Sequence, residues 1–305
     1  MKKVIILLIF AGVILLFIEK GQEFLNESKS IQFELFNDDD EVNRNLPIAG
    51  NAAILLDAES GELLYGKNSD KKIYPASTTK IMTALLAIEK GNLDDIIRVG
   101  DEVNMKLENE STAWLVEGRE LSLRALLAGL MLPSGNDAAR TIAIHIAKKE
   151  SGNMNLSNKK AMAYFAKMMN ERAREIGAKN TNFVNPHGLH DDDHYTTAFD
   201  LGLIAKEAMK NTTFQDIVSE HKYVDSSISY VNRNKLLDPT SGFYYEGANG
   251  IKTGFTDEAG YCLISAAKRN DKQLLAVVLQ STDVSVWNDS ITLLDHGFAK
   301  VIAAN

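Results

Sequence analysis

Ser77-Thr78-Thr79-Lys80-Ile81-Met82-Thr83-Ala84-Leu85-Leu86-Ala87-Ile88-Glu89-Lys90 reads as a helix. Ile81, Met82, Leu85 and Ile88 recur at spacings of three and four, the period that lines one helical face. Pro75 stands just before it and Gly91 just after, the residues that open and close helices. Outward toward the N-terminus, the apolar run Ala53-Ile54-Leu55-Leu56, a turn at Glu59-Ser60-Gly61 and Leu63-Leu64-Tyr65 read as a strand hairpin. Outward toward the C-terminus, helices are expected over 121–132, 137–149, 162–176, 198–209 and 290–302, the first stopped by Pro133. Gly250–Gly254, Tyr261–Ala267 and Leu274–Gln280 read as three strands, with turns at Asn249-Gly250 and Arg269-Asn270-Asp271. Strands at both ends with helices between them predict one α+β domain. Its N-terminal hairpin should join the C-terminal strands in a single antiparallel sheet, with a helical lobe inserted between.

The composition narrows the function classes. The chain has 305 residues, 33 Lys+Arg and 41 Asp+Glu, a net charge of −8. Such a chain lacks the cationic excess that a phosphate backbone requires, so no nucleic-acid partner is expected. A single cysteine, Cys262, excludes an intrachain disulfide and reads as a buried small hydrophobe. A mean hydropathy of −0.15 excludes a multi-span membrane protein but permits one anchor.

Residues 1–18 hold an anchor candidate. Lys2 and Lys3 precede an unbroken apolar run from Val4 to Ile18, the charged and apolar regions of a secretory signal. Fifteen helical residues cover roughly 22 Å, short of a hydrocarbon core of roughly 30 Å. No small-x-small cleavage site follows, so the run is read as a signal peptide or an uncleaved signal-anchor. Its lysines orient the rest of the chain outward. Residues 19–46 read as an acidic linker, with eight acids against three bases and the like-charge block Asp38–Glu41. The catalytic domain is then expected over 47–305.

Three short motifs carry candidate chemistry. In Ser77-Thr78-Thr79-Lys80, residues three apart share a helical face, so Lys80 can reach the Ser77 hydroxyl. A serine is a weak nucleophile until a base takes its proton. A lysine acts as that base when burial, a helix N-terminus or a second cation destabilises its ammonium. The same spacing recurs at Ser69/Lys72, Ser157/Lys160, Ser219/Lys222 and Ser265/Lys268, so the tetrad alone decides nothing. Ser134-Gly135-Asn136 places a hydroxyl and an amide at a tight junction between helices. Lys252-Thr253-Gly254 places a cation, a hydroxyl and a side-chain-free position on a strand.

In this order the three motifs resemble the set shared by penicillin-binding proteins and class A β-lactamases. The surrounding text, Pro75 to Thr83, Pro133 to Ala139, Asn185-Pro186-His187-Gly188-Leu189, Asn232 to Leu237 and Gly250 to Thr256, is similar to serine-type D-alanyl-D-alanine carboxypeptidases. The resemblance covers the chain from about Pro47 onward. It implies a β-lactamase/D,D-peptidase-like fold, with Ser77 as acylated nucleophile, Lys80 as general base, Ser134 as proton relay and Asn136 orienting the substrate amide. Lys252 and Thr253 would hold the terminal carboxylate, Gly254 would admit the substrate backbone, and the N–H groups of Ser77 and Phe255 would form the oxyanion hole. It further implies that the partners are peptidoglycan stem peptides ending in D-Ala-D-Ala, with β-lactams as covalent inhibitors. No cofactor and no metal is implied, and the location is the outer face of the cytoplasmic membrane or a secreted form in a bacterial envelope.

Two departures accompany the resemblance. Relatives carry a carboxylate-gripping arginine shortly before the last helix, where this chain has Val286 and Trp287. Its only arginine beyond Gly254 is Arg269, in an expected turn. Relatives also continue into a β-rich C-terminal domain, whereas this chain stops at Asn305, so the N-terminal segment is expected to be the sole attachment. Two other functions remain open: a β-lactamase-type hydrolase, although a Glu-x-x-Leu-Asn segment is missing between Asn136 and Lys252, and a weakly catalytic penicillin-binding or wall-peptide sensor. His187, His190 and His194 around Asp191–Asp193 read as an irregular loop, not a metal site. Trp287 and Phe298 read as packing residues, and Tyr244-Tyr245 as possible cleft lining.

Overall fold

The computed structural model describes residues 46–225 and 228–303. The apolar run 4–18 and the acidic stretch up to Asn45, read as signal and linker, lie outside the described residues. Among the described residues no helix is long and apolar enough to cross a membrane.

A five-stranded antiparallel sheet carries the fold. Its strands are β1 (Ala52–Asp57), β2 (Leu63–Lys67), β7 (Ala248–Thr256), β8 (Gly260–Arg269) and β9 (Lys272–Ser281), in the order β2-β1-β9-β8-β7. The expected union of the N-terminal hairpin with the C-terminal strands is made by β1 and β9, with Ala52 opposite Leu279 and Asp57 opposite Leu274. Both faces of the sheet are covered, which explains why β1 is a continuous apolar run instead of an alternating one. Ala52, Ile54 and Leu56 face the larger core with Val277 and Leu279, while Ala53 and Leu55 face the other with Ala276 and Val278. The smaller core is closed by helix α7 (Ser285–Ala303), through Val286, Trp287, Leu293, Leu294 and Phe298.

The larger core belongs to the helical lobe: α1 (Lys80–Lys90), α2 (Leu123–Met131), α3 (Asn136–Ser151), α4 (Asn158–Ile176), α5 (Ala198–Ala208) and α6 (Thr212–Ser219). Helix α1 is buried from Lys80 to Ala87 and touches each of the other five. A helix apolar on nearly every side belongs inside a domain, which makes α1 a rigid mount for whatever stands at its start.

The differences from expectation lie at element ends and in short elements. The helix expected from Ser77 begins instead as a 3-10 turn over Ala76–Thr79 and becomes α-helical at Lys80. The helix expected from Leu121 starts at Leu123, because β4 (Glu120–Ser122) first pairs with β3 (Ile96–Arg98) and Ser122 Oγ then caps the helix by accepting from the Ala125 N–H. Helix α7 begins at Ser285, five residues earlier than the apolar pattern implies. Helix α6, the β3–β4 pair and the β5 (Lys222–Val224) and β6 (Ser229–Val231) pair were not expected; each is too short to show a period.

Candidate active site

Three segments converge on one cleft of about 860 Å³. Ser77 stands at the 3-10 turn that feeds α1, Ser134 and Asn136 at the α2–α3 junction, and Thr253, Gly254 and Phe255 on β7, the sheet edge that borders the cleft. Lys80 and Lys252 lie buried behind this lining.

Lys80 is the centre of the arrangement. Its Nζ lies 2.9 Å from Ser77 Oγ, 2.6 Å from Asn136 Oδ1 and 2.6 Å from the His187 carbonyl oxygen. The last two oxygens only accept, so they claim two N–H bonds and leave the third tetrahedral position of the nitrogen facing Ser77. Burial first, and then the nearby Lys252 ammonium, hold the Lys80 pKa well below the usual lysine range. In the free amine that third position is a lone pair, aimed at the serine hydroxyl.

The loop 185–189 supplies one of those acceptors, the His187 carbonyl. Asn185 Oδ1 accepts from the N–H groups of His187 and Gly188, and the Thr83 hydroxyl donates to the Pro186 carbonyl, fastening the loop to α1. Gly188 sits at φ 85°, and a Cβ there would fall 1.8 Å from the Ala76 carbonyl oxygen, so only glycine lets the loop approach the Ala76–Thr79 turn. The resemblance included this segment without assigning it a task, and its sequence offers no sign that a backbone carbonyl is the working part. Of the three loop histidines, His194 bonds Thr79 Oγ1 through Nε2 at 2.8 Å and accepts from the Val184 N–H at Nδ1, and burial lowers its pKa to about 4.

At the second segment, Ser134 adopts φ 67° with 3% exposure, a strained conformation for a residue with a side chain. Its Oγ is buried with no hydrogen-bond partner among the described residues. Asn136 is held at both ends of its amide, by Lys80 at Oδ1 and by Glu110 Oε2, 3.4 Å from Nδ2. Asp137 accepts from the N–H groups of Ala113 and Leu115, which pins the cleft wall to the start of α3.

At the third segment, a Cβ on Gly254 would come within 3.1 Å of Ser77 N and 3.2 Å of Thr78 N. The glycine therefore lets the sheet edge close against the Ala76–Thr79 turn. Lys252 is 2% exposed, donates to the Thr253 carbonyl at 3.0 Å, and has its pKa lowered to about 7 by burial and by Arg233. Arg233 lines the cleft and donates to Ser111 Oγ at 2.7 Å. Its neighbour Asn234 donates to the Gly250 carbonyl, tying this segment to β7. The resemblance places a carboxylate-gripping arginine near Val286 and Trp287; the structure instead brings Arg233, from the Asn232-Arg233-Asn234 segment that the resemblance includes, into the cleft lining. Trp287 lies at the cleft border with Lys235 Nζ 5.4 Å from its ring centre. Arg269 stacks on Tyr245 and Phe298, outside the cleft lining. Tyr244 and Tyr245 are also outside that lining; Tyr245 is buried and donates to Asp295.

The four other Ser-x-x-Lys pairs have local explanations. Ser157 caps α4, Ser69 bonds Asp70, Ser219 bonds the Asp216 carbonyl, and Ser265 lies within β8, where residues three apart face opposite sides.

Comparisons with known proteins identify the family. The family described as D-alanyl-D-alanine carboxypeptidase matches residues 39–283. D-alanyl-D-alanine carboxypeptidase DacF of Bacillus subtilis is 34% identical over 260 residues, which cover 82% of this chain and 62% of that protein. This chain thus spans about three-fifths of that relative's length. The D-alanyl-D-alanine carboxypeptidase of Streptomyces sp. strain K15 is 34% identical over 83% of this chain and 88% of its own. The crystal structure of the Streptomyces K15 DD-transpeptidase superposes with a TM-score of 0.77 at 33% identity, covering 84% of this chain and 99% of that one. Penicillin-binding protein D2 of Listeria monocytogenes, in its ampicillin-bound form, superposes with a TM-score of 0.70 at 30% identity over 83% of this chain and 99% of its own. With a β-lactamase-like α+β fold and a family match over most of its length, the chain belongs to the serine D-alanyl-D-alanine carboxypeptidase family.

Proposed function

We propose that this chain is a serine D,D-carboxypeptidase that removes the terminal D-alanine from peptidoglycan stem peptides and is acylated by penicillins. The observation that carries the reading is the Lys80 nitrogen: buried, 2.9 Å from Ser77 Oγ, with its other two positions claimed by obligate acceptors.

The Lys80 amine takes the Ser77 proton as Oγ attacks the carbonyl of the penultimate D-alanine. The N–H groups of Ser77 and Phe255 receive the developing oxyanion. When the peptide C–N bond breaks, the proton passes to the departing amine through Ser134, whose unpartnered hydroxyl has capacity for both roles. Asn136 orients the substrate amide. Water then attacks the Ser77 ester, returning the serine and a peptide shorter by one residue. Lys252, Thr253 and Arg233 receive the terminal carboxylate, which gives the buried Lys252 ammonium a counter-charge that no carboxylate among the described residues supplies. Arg233 thereby supplies the guanidinium that the region of Val286 and Trp287 does not. Gly254 and the free edge of β7 admit an extended substrate backbone. The enzyme works in the bacterial envelope, held at the outer face of the cytoplasmic membrane by residues 4–18.

Labelled penicillin and a D-Ala-D-Ala peptide test the proposal together. A long-lived adduct that maps to Ser77, with D-alanine release, is expected. Ser77→Ala abolishes both. Rapid drug turnover supports a β-lactamase-type hydrolase instead, and an adduct without D-alanine release a sensor.

A further inference from the structure

We propose that Glu110 is a positioning residue for the reaction: with Arg140 it dictates which way the Asn136 amide faces and so holds Lys80 ready for Ser77. This inference rests on the reading of Ser77 and Lys80 as nucleophile and base.

Glu110 lies in the loop that walls the cleft, far in sequence from any recognisable motif. Its side chain is 0% exposed and that of Arg140, on α3, is 2% exposed. The guanidinium meets the carboxylate end-on, Nη1 to Oε2 at 3.2 Å and Nη2 to Oε1. Both carboxylate oxygens accept from the guanidinium, which can only donate, so each presents an acceptor to its surroundings. Asn136 Nδ2, 3.4 Å from Oε2, must therefore be the amide's NH₂ end. The opposite end, Oδ1, is then committed to Lys80 at 2.6 Å.

A flipped amide would set an NH₂ group against the lysine nitrogen, donor against donor, and the amine would turn its lone pair from Ser77 to satisfy the clash. The chain of fixed polarity thus runs from Arg140 through Glu110 and Asn136 to Lys80. Glu110 is poorly placed to activate water itself, because its side chain is fully buried and three of its roughly four acceptor sites are taken.

The charges reinforce this division of labour. Lys80 is faced by Lys252 on β7, by Glu110 on the cleft wall, by Arg140 and Asp137 on α3, and by His187 on its loop. Glu110 raises the Lys80 pKa while Arg140 lowers it. The pair orients Asn136 with opposing effects on the base, something a lone carboxylate could not do.

The test uses the full chain and the rate of acylation by labelled penicillin from pH 4 to 9, normalised to the folded fraction. Glu110→Gln keeps the shape but presents an NH₂ group and leaves the Arg140 charge unpaired. It should lower the plateau rate roughly 10- to 100-fold, the scale on which small misplacements of a catalytic group act. Its acid limb should move to lower pH, since removing the anion lowers the Lys80 pKa further. Adding Arg140→Met to Glu110→Gln removes both charges and should return the acid limb toward the wild-type position. Glu110→Asp, with its charge retained but withdrawn by one methylene, should give an intermediate rate and keeps the test open if the glutamine variant does not fold. A wild-type plateau and acid limb in Glu110→Gln would overturn the inference, as would losses that vanish on normalisation. An unacylated wild-type protein overturns the underlying reading, and this inference with it.

Discussion

Lys252→Met separates binding from stability. The Lys252 ammonium is 2% exposed, has one hydrogen bond to the Thr253 carbonyl at 3.0 Å, and feels Arg233. Methionine fills much the same volume without the charge. Burial moves the lysine from 10.5 to about 7. That gap corresponds to at most roughly 5 kcal/mol of native-state destabilisation. The folded pKa of this base is depressed, so below pH 7 both folded and unfolded chains carry the proton and the full penalty applies. Between pH 7 and 10.5 the folded chain releases its proton and the penalty shrinks to nothing. Lys252→Met should therefore melt higher than the wild type at pH 6. A gain of about 2–5 kcal/mol corresponds to about 5–15 °C in a domain of this size, and the gap should close by pH 10. The variant should also lose D-alanine release through a raised KM. Its penicillin acylation should show an acid limb moved to higher pH, because Lys252 no longer depresses Lys80. Paired melts at pH 6 and 10 decide the matter. A variant that melts at or below the wild-type temperature at pH 6 would refute the view of Lys252 as a desolvated cation awaiting a carboxylate.

Three further outcomes are expected. Gly254→Ala forces β7 away from the Ala76–Thr79 turn by a few tenths of an ångström, since the new Cβ would lie 3.1 Å from Ser77 N; acylation should fall roughly tenfold or more while the melting temperature shifts only modestly. Lys80→Met should slow acylation by about 10²–10⁴-fold with the fold retained, read by labelled penicillin and circular dichroism, and an unchanged rate would remove Lys80 as the base. His194, buried and neutral with a pKa of about 4 against 6.5 in the unfolded chain, contributes stability that is fully present above pH 6.5 and lost as pH falls to 4. The unfolding free energy from denaturant titrations should decline by at most roughly 3 kcal/mol across that window, and His194→Asn should flatten the slope.

The long elements were legible before any coordinates. The period of α1, the apolar run of β1 and the strands β7 to β9 each declare themselves in adjacent residues, because helix and strand periodicity are local properties. The three motifs were legible for the same reason. Local reading ended where partners are distant in sequence. Five Ser-x-x-Lys pairs look alike on paper, and only burial of α1 on nearly every side makes Lys80 a destabilised cation while Lys160 and Lys222 stay exposed. Glu110 and the His187 carbonyl carry no pattern. Glu110 acquires meaning from Arg140, thirty residues away, and the His187 carbonyl from Lys80, 107 residues away. The sequence by itself determined the order of elements and the chemical types available at Ser77, Lys80, Ser134, Asn136 and Lys252. The tertiary structure alone decided their ionisation and orientation, because the desolvation of an amine and the direction of an amide depend on neighbours in space.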